Sequence, residues 1–155
     1  PNTTPIFLQI APEMSEYQLD DFQHIVEATQ LNGIIATNTS VSRANLKTKA
    51  SVVDSLGAGG LSGQPIKIYS RELVRQLYRR VGDQVPIIGV GGIQSGHDAW
   101  QMILAGASLV QIYTGFIYGG PSTVKRINQY LLKKIEDHDL QNVSAAIGKL
   151  DDFLD

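Results

Sequence analysis

Two short turns carry the residues best suited to hold an anion. Gly91 and Gly92 end the apolar sequence PIIGVGGI, and Thr114 and Gly115 end the apolar sequence SLVQIYTG. Because glycine has no side chain, a ligand can approach its backbone closely, and a helix that begins at Thr114 would present free N–H groups. If the two apolar sequences are neighbouring parallel strands, their carboxyl ends meet, so we expect one phosphate site between the two turns.

The glycine sequence does not match a nucleotide-binding fingerprint. The sequence GVGGIQ has Gln94 where the dinucleotide fingerprint needs its third glycine, and there is no Walker sequence. A phosphate site without such a fingerprint suggests flavin mononucleotide (FMN) or a sugar phosphate. The alternative is that Gly91 and Gly92 only form a tight turn from strand to helix. Their pairing with Tyr113 and Thr114 favours a ligand.

Two further motifs carry hydrogen-bonding groups beside predicted strands. Thr37, Asn38 and Thr39 follow the apolar sequence GIIA, and an amide that offers donors and an acceptor together suits an amide or imide ring. The alternative is a local Asx or ST turn. The sequence GGLSG at 59–63 either wraps its backbone around a ligand or acts as a hinge.

Composition excludes several functional classes. The chain has 155 residues, of which 43% are hydrophobic, which is enough for one core, and its net charge of −2 gives no electrostatic case for nucleic acid. Without cysteine there is no disulfide framework, and no apolar run is long enough to span a bilayer. The chain begins at Pro1, so we expect a processed or truncated product, the alternative being a tag or a disordered start.

The sequence also gives little support for a metal site or for a Ser-His-Asp catalytic triad. The histidines His24, His97 and His138 have no carboxylate or cysteine at ligand spacing, so surface or capping roles are expected and no metal ligand is assigned. No Ser-His-Asp or paired-carboxylate arrangement is evident. Arg75, Arg79 and Arg80 are expected to form a solvated helix face.

Four short apolar runs in the sequence predict four strands. Apolar runs at 5–11, 33–37, 85–90 and 109–113 have the length and composition of buried parallel strands. The segment 41–64 has no sustained period and follows a strand end, which indicates a functional loop.

Each strand is followed by helix-like sequence. Capping boxes are predicted at Ser15 with Gln18 and at Ser95 with Asp98. Gly82 and Asp83 are predicted to end the helix that precedes the third strand, residues 114–119 to form a short helix, and Pro121 to begin the last helix. The apolar residues expected on buried helix faces are Leu19, Phe22, Val26 and Thr29, then Ile68, Leu73, Leu77 and Val81, and finally Val124, Ile127, Leu131 and Ile135.

Alternating strands and helices define the fold class. Four β/α units predict an α/β protein with a parallel sheet and right-handed crossovers. A complete β/α barrel needs about 250 residues, so the chain is either half of a TIM (β/α)8 barrel or a small open α/β domain. A half-barrel leaves the inward faces of its strands and two sheet edges open, which invites association.

Five motifs in one order resemble dihydroorotate dehydrogenase, specifically the C-terminal half of its quinone-dependent class (class 2). The motifs are IAP at 10–12, TNT at 37–39, GGLSGQP at 59–65, IIGVGGI at 87–93 and AGASLVQIYTG at 105–115. The resemblance implies an eight-fold β/α barrel with FMN at the carboxyl ends of its strands. Dihydroorotate gives a hydride to FMN, and a quinone accepts the electrons, in the synthesis of the pyrimidine nucleotide UMP.

The resemblance also assigns residues. It implies that Asn38 and Thr39 bind dihydroorotate or orotate, and that no catalytic residue and no metal ligand lie in this chain. The residues implied to contact FMN are Gln9, Thr37, Gly63, Gly91, Gly92, Tyr113 and Thr114. The parent enzyme is expected at the bacterial plasma membrane or the mitochondrial inner membrane as a peripheral protein, although this chain has no membrane segment of its own.

Two departures from the family qualify this interpretation. Gln9 stands where the family has a lysine beside the flavin's pyrimidine edge, so we hypothesise that Gln9 lowers the flavin's readiness to accept a hydride. The family's catalytic serine and its quinone tunnel belong to the N-terminal half, which this chain lacks. Residues 1–155 are therefore interpreted as a C-terminal half-barrel that is inactive alone and has the missing N-terminal half as its partner.

Two alternatives stay open on the sequence. The first is a stand-alone half-barrel that binds a phosphate ligand or FMN without catalysis. The second is another FMN or sugar-phosphate barrel enzyme. The motif at 37–39 and the glycine loop at 59–63 argue against the second, since a generic phosphate barrel needs neither.

Overall fold

Four parallel strands form the sheet that positions the predicted site. The computed structural model describes residues 4–29, 31–82 and 84–153. The strands follow the chain order, each hydrogen-bonded to the next. They are β1 (Phe7–Ile10), β2 (Gly33–Ala36), β3 (Ile87–Val90) and β4 (Leu109–Gln111). All four predicted strands are confirmed, and each is shorter than predicted because its end residues leave the ladder.

Helices connect the strands and complete four β/α units. Within the described ranges they are α1 (Glu16–Thr29), α2 (Ala50–Ser55), α3 (Lys67–Val81), α4 (Gly96–Leu104), α5 (Thr114–Gly119) and α6 (Ser122–Asp137). Short 3-10 turns span Gln64–Ile66 and Val143–Ala146. Gly82 is the C-cap residue of α3, whereas Asp83 lies outside the described residues.

The two predicted capping boxes are present. The Ser15 N–H donates to Gln18 Oε1 at 2.9 Å, and the Gln18 N–H donates to Ser15 Oγ at 3.3 Å. The same exchange at α4 joins Ser95 and Asp98, with both bonds at 3.1 Å. Each box satisfies N–H groups that a helix start otherwise leaves without partners.

The core lies between the sheet and its covering helices. Ile34 and Ile87 on the sheet are almost fully buried, and they join one cluster with Val74 and Leu77 of α3 and Met102 of α4. A second cluster forms where the segment 139–153 packs on α4 and α6. There Trp100 is fully buried and its ring stacks on His138, which is the C-cap residue of α6.

Three residues predicted on buried helix faces are exposed instead. Thr29, Ile68 (66% exposed) and Val124 (45% exposed) all face solvent. Thr29 sits in the last turn of α1, where its hydroxyl donates to the Ile25 carbonyl. On α6 the neighbouring Thr123 takes the buried position, so the buried stripe is rotated by one residue from the prediction at its start.

The loop predicted at 41–64 contains an unpredicted helix. Its base is closed by a bridge in which the N–H groups of Ser40 and Leu61 donate to each other's carbonyls at 2.9 and 2.7 Å. Between them lies α2, and none of its described residues is buried. A helix that buries no face needs no amphipathic period, which is why the pattern of the sequence did not reveal it.

The prediction of a solvated arginine face was wrong for Arg80. Its guanidinium donates to Glu16 and, at 3.0 Å, to Asp20, so it ties α3 to α1 and is only 22% exposed. Arg75 instead forms a two-bond pair with Glu72 on its own helix.

The sheet has two open sides. On β1, Phe7 and Leu8 are 41% and 37% exposed, and on β4, Leu109 is 62% exposed. Apolar strand residues with this exposure agree with a sheet that continues in a larger barrel. Among the described residues, none of the helices combines the length and apolar character needed to cross a membrane.

Candidate functional site: a cavity at the carboxyl ends of the strands

One cavity collects all nine residues that the sequence assigned to ligands. Its volume is about 280 Å³, and it opens at the carboxyl end of the sheet. The nine residues are Gln9, Thr37, Asn38, Thr39, Gly63, Gly91, Gly92, Tyr113 and Thr114. They come from all four strand ends and from the loop at 59–63, so a parallel sheet is what brings them together.

The first glycine turn is shaped by protein contacts as well as by the cavity. Gly91 has φ +125° and Gly92 has φ +71°, backbone conformations that favour glycine. A Cβ atom on Gly92 would lie 2.4 Å from Lys67 Cβ and 2.6 Å from Lys67 Cα, at the start of α3. Glycine is therefore required here for the turn itself, so the two sequence interpretations are compatible and the turn alone does not decide between them.

The second turn packs directly on the first. A Cβ atom on Gly115 would lie 2.2 Å from the carbonyl oxygen of Ile93, one residue after the first glycine pair. In the first turn of α5, the N–H groups of Phe116 and Ile117 are the first to find helical partners, both at the Tyr113 carbonyl. The N–H groups of Thr114 and Gly115 precede these bonds, so helix geometry leaves both available to a ligand.

The glycine loop at 59–63 is fixed in place and is not a free hinge. Thr114 Oγ1 donates to Ser62 Oγ at 2.9 Å. Gly63 has φ +78°, and a Cβ atom there would lie 3.0 Å from Thr114 Cγ2, while one on Gly60 would lie 1.9 Å from Thr39 Oγ1. The loop therefore closes the cavity between the ends of β2 and β4.

The motif after β2, Thr37 to Thr39, contains one buried threonine and one asparagine with free donors. Thr37 is 2% exposed, and its hydroxyl donates to the Asn38 carbonyl at 2.8 Å. Asn38 Oδ1 accepts from the Thr39 N–H at 2.7 Å, which is the local turn that the sequence offered as the alternative. The Asn38 amide nitrogen makes no hydrogen bond with any residue that the structure describes, so its two donors remain for a ligand.

The cavity is electrically neutral. Among the described residues that line it, none has a charged side chain, and its polar groups are hydroxyls, side-chain amides and backbone amides. Gln9 lies on β1 with its side chain exposed at the cavity. An anion would meet no like charge here and would be held by uncharged donors.

A partly buried ion pair supports the first turn from behind. Lys67 Nζ lies 3.0 Å from Asp98 Oδ1, and Asp98 Oδ2 accepts from the N–H groups of Gln94 and Ser95 and from the Ser95 hydroxyl. Burial alone would raise the pKa of Asp98, but hydrogen bonds from Lys67, Ser95 and the Gln94 N–H together lower this pKa below its ordinary value. The carboxylate thereby anchors both α3 and α4 to the turn.

Sequence reasoning missed several residues of the site. Ser62 and Gln111 line the cavity inside motifs that had been singled out, so the motif was the available signal. Ser70, which lies behind the cavity and does not line it, was not detectable, because a single serine in a helical sequence carries no pattern. It is fully buried and lies 3.0 Å from the Thr37 hydroxyl.

Comparison with known proteins agrees with this geometry. Residues 2–135 match the family profile described as dihydroorotate dehydrogenase. The chain belongs to the dihydroorotate dehydrogenase family. It is 43% identical over 146 residues to dihydroorotate dehydrogenase (quinone) of Corynebacterium striatum and 45% identical to that of Rhodococcus opacus (strain B4), in each case over 94% of this chain and 41% of the relative.

The solved structures give the fold. The dihydroorotate dehydrogenase of Eimeria tenella, in complex with ferulenol, matches 97% of this chain with a TM-score of 0.85 and 37% identity, and 39% of its own chain is covered. The ligand-free form of the same enzyme matches with a TM-score of 0.83. The chain spans about two fifths of the length of the relatives it matches. The predicted half of an α/β barrel and the resemblance to the C-terminal part of the quinone-dependent class are confirmed.

Proposed function

We propose that this chain binds FMN in the 280 Å³ cavity and forms part of a dihydroorotate dehydrogenase that oxidises (S)-dihydroorotate to orotate with a quinone as electron acceptor. The observation that carries the proposal is the convergence of all nine assigned residues on one neutral cavity of a protein in this family. In the parent enzyme this reaction would serve pyrimidine synthesis at the bacterial plasma membrane or the mitochondrial inner membrane.

The phosphate of FMN fits the two contacting turns. Backbone N–H groups of Thr114 and Gly115 precede the helical bonds of α5, and Gly91 and Gly92 line the cavity with no side chain of their own. Such groups hold a phosphate by charge-assisted hydrogen bonds without a lysine or arginine. The residues that would hold this part of FMN are therefore Gly91, Gly92, Tyr113 and Thr114.

The ring of FMN and the substrate would occupy the opposite side of the cavity. Thr37 and Gln9 are the proposed ring contacts, whereas Gly63 would contact FMN beside Thr114. The free amide donors of Asn38 with the Thr39 hydroxyl would orient dihydroorotate. When bound, FMN supplies the hydride acceptor. The residues of this chain orient the two rings and exclude water between them.

The described residues that line the cavity supply no base for the reaction. Among the described residues that line the cavity there is no histidine, carboxylate or lysine to take a proton near neutral pH. In the family this role belongs to a serine of the N-terminal half, which also forms the quinone path and the contact with the membrane. We therefore expect the chain to be inactive alone and to require that half as its partner.

A two-part experiment tests the proposal. The purified chain is mixed with FMN, freed of excess flavin and examined by visible absorbance, and dihydroorotate-dependent quinone reduction is then measured with and without an N-terminal half taken from a relative. We expect bound flavin in both samples and turnover only in the recombined one. Absence of bound flavin in both samples would contradict the proposal.

The neutral cavity without a base also favours a second candidate. A stand-alone half-barrel that holds FMN or another phosphate ligand without catalysis would have this same lining. Bound flavin without turnover after recombination, under conditions in which the halves demonstrably associate, would select this candidate over the enzyme.

A further inference from the structure

A buried serine outside the cavity contacts two of the strand ends that form it. Ser70 lies on α3, is 0% exposed and is not among the residues that line the cavity. Its Oγ is 3.0 Å from Thr37 Oγ1 at the end of β2. A Cβ atom on Gly91, at the end of β3, would lie 2.1 Å from the same Ser70 oxygen, so the serine fills the space behind that turn.

Counting protons fixes the direction of the bond between the two hydroxyls. Thr37 has one hydroxyl proton, and it points to the Asn38 carbonyl at 2.8 Å, which can only accept. Both contacts of Thr37 are therefore made together only if Ser70 is the donor to Thr37. The Thr37 oxygen has then used its proton and one lone pair, and a single lone pair is left for the cavity.

We propose that Ser70 is a positioning residue that makes Thr37 an acceptor-only contact, so that the ring group bound at Thr37 is an N–H donor. The proposal rests on the proposed function, in which the ring is that of FMN. The imide N–H of the flavin ring is a donor of this kind, whereas its two flanking carbonyls are acceptors and would be disfavoured at Thr37.

A double-mutant cycle with two ligands tests this. The variants are Ser70→Ala, Thr37→Val and the two combined, and the ligands are FMN and its N3-methyl derivative, which lacks the imide proton. Dissociation constants are measured by quenching of flavin fluorescence on the full 155-residue chain. Ser70→Cys, which is slightly larger and keeps a weak donor, is the rescue variant. Thr123→Val is the control because it removes a buried hydroxyl on α6 from a residue that does not line the cavity.

The proposal gives a distinct pattern. Ser70→Ala and Thr37→Val each weaken FMN binding by about threefold to tenfold, which is the usual effect of losing one neutral hydrogen bond. The combined variant is no weaker than Thr37→Val alone, because Ser70 acts through Thr37. Binding of N3-methyl FMN is unchanged by either substitution, Ser70→Cys recovers part of the loss, and Thr123→Val leaves FMN binding unchanged.

Failure takes separable forms. Additive losses in the combined variant, or equal losses for both ligands, overturn the role of Ser70 while leaving FMN binding intact. An unmodified chain that binds neither flavin overturns the proposed function and this inference with it. Thermal unfolding of each variant shows whether a loss of binding follows a loss of structure, and a fall in FMN affinity that only tracks stability also counts against the proposal.

Discussion

The two sides of the sheet differ in how completely this chain supports them. At β3 and β4 the strand ends turn on glycines that pack against α3 and against each other, and the Lys67–Asp98 pair anchors that contact from behind. At β1, by contrast, Phe7 and Leu8 are partly exposed, and the side chain of Gln9 lies at the cavity without a hydrogen bond to any described residue.

The contrast separates the strand ends that this chain supports with its own contacts from those that it leaves open. The side proposed to hold phosphate has its supporting contacts within the chain. The side proposed to hold the ring and the substrate is open at a sheet edge, and the cavity has no base. This division agrees with a family member that spans about two fifths of its relatives. The following predictions test each side of the comparison.

The largest effect is expected at the open edges. Exposed apolar residues at the two sheet edges, including Ile6 just before β1 at 64% exposure and Leu109 of β4 at 62%, should drive the isolated chain to dimerise, aggregate or bind a complementary barrel half. Sedimentation velocity over a range of concentrations measures this. Leu109→Lys should reduce self-association. Leu56→Lys should not, because Leu56 lies in the loop at 41–64 and not at a sheet edge, although it is 76% exposed. A monomer at every concentration would show that the edges are not association sites.

The glycine turn should be the most sensitive point of the supported side. Gly92→Ala combines a φ of +71° with a contact of 2.4 Å to Lys67, so it should reduce the free energy of unfolding by about 2–5 kcal/mol. Gly57→Ala is the matched control, because Gly57 has φ +77° and nothing within 4 Å of the added atom, and about 1–2 kcal/mol is expected. Urea denaturation gives both values. Equal losses of unfolding free energy in the two variants would mean that the close packing of Gly92 on α3 adds nothing to the cost of the substitution.

Asp98 should make this side sensitive to acid. Asp98→Asn removes the ion pair with Lys67 and weakens the cap of α4, so about 1–3 kcal/mol of stability should be lost at pH 6. Because the pKa of Asp98 is below its ordinary value of 3.8, this stabilisation is present above about pH 4 and is lost as the pH falls through the folded-state pKa. Unfolding at pH 6 and pH 3 measures the difference. The exposed Asp54→Asn serves as the control, and a gap between Asp98→Asn and the unmodified chain that persists undiminished at pH 3 would refute the assignment.

These supporting contacts also show where sequence reasoning succeeds and where it stops. Strand ends and capping boxes follow from local patterns, since apolar runs and capping spacings are written along the chain. The nine cavity residues follow from the resemblance to a known family, which five ordered motifs carry. Ser70, Lys67 and Arg80 act across elements, and their contacts depend on how α3 packs, which no local pattern records. The helix α2 was not predicted because it buries no face. Val124 was wrongly predicted to be buried because the apolar stripe of α6 can rotate by one residue without changing its period.

The smallest effect is expected on the open side, at Gln9. Gln9→Lys places a positive charge at an exposed position beside the proposed ring site, which should favour the reduced flavin by about 0.5–1.4 kcal/mol, or about 10–30 mV for two electrons. Dye-equilibrated reductive titration of the FMN-loaded chain measures the potential. Gln23→Lys on α1 is the control with the same change of charge. Equal potentials for Gln9 and Lys at this position would refute the hypothesis that Gln9 lowers the flavin's readiness to accept a hydride.

The central claim is that uncharged backbone groups at two contacting turns hold a flavin's phosphate. Parallel fluorescence titrations of the chain with FMN and with riboflavin, which lacks the phosphate, test it most directly. The account predicts that FMN binds at least tenfold more tightly, an advantage of about 1.4 kcal/mol or more, and that Gly92→Ala removes most of this difference. Equal affinity for FMN and riboflavin would contradict it.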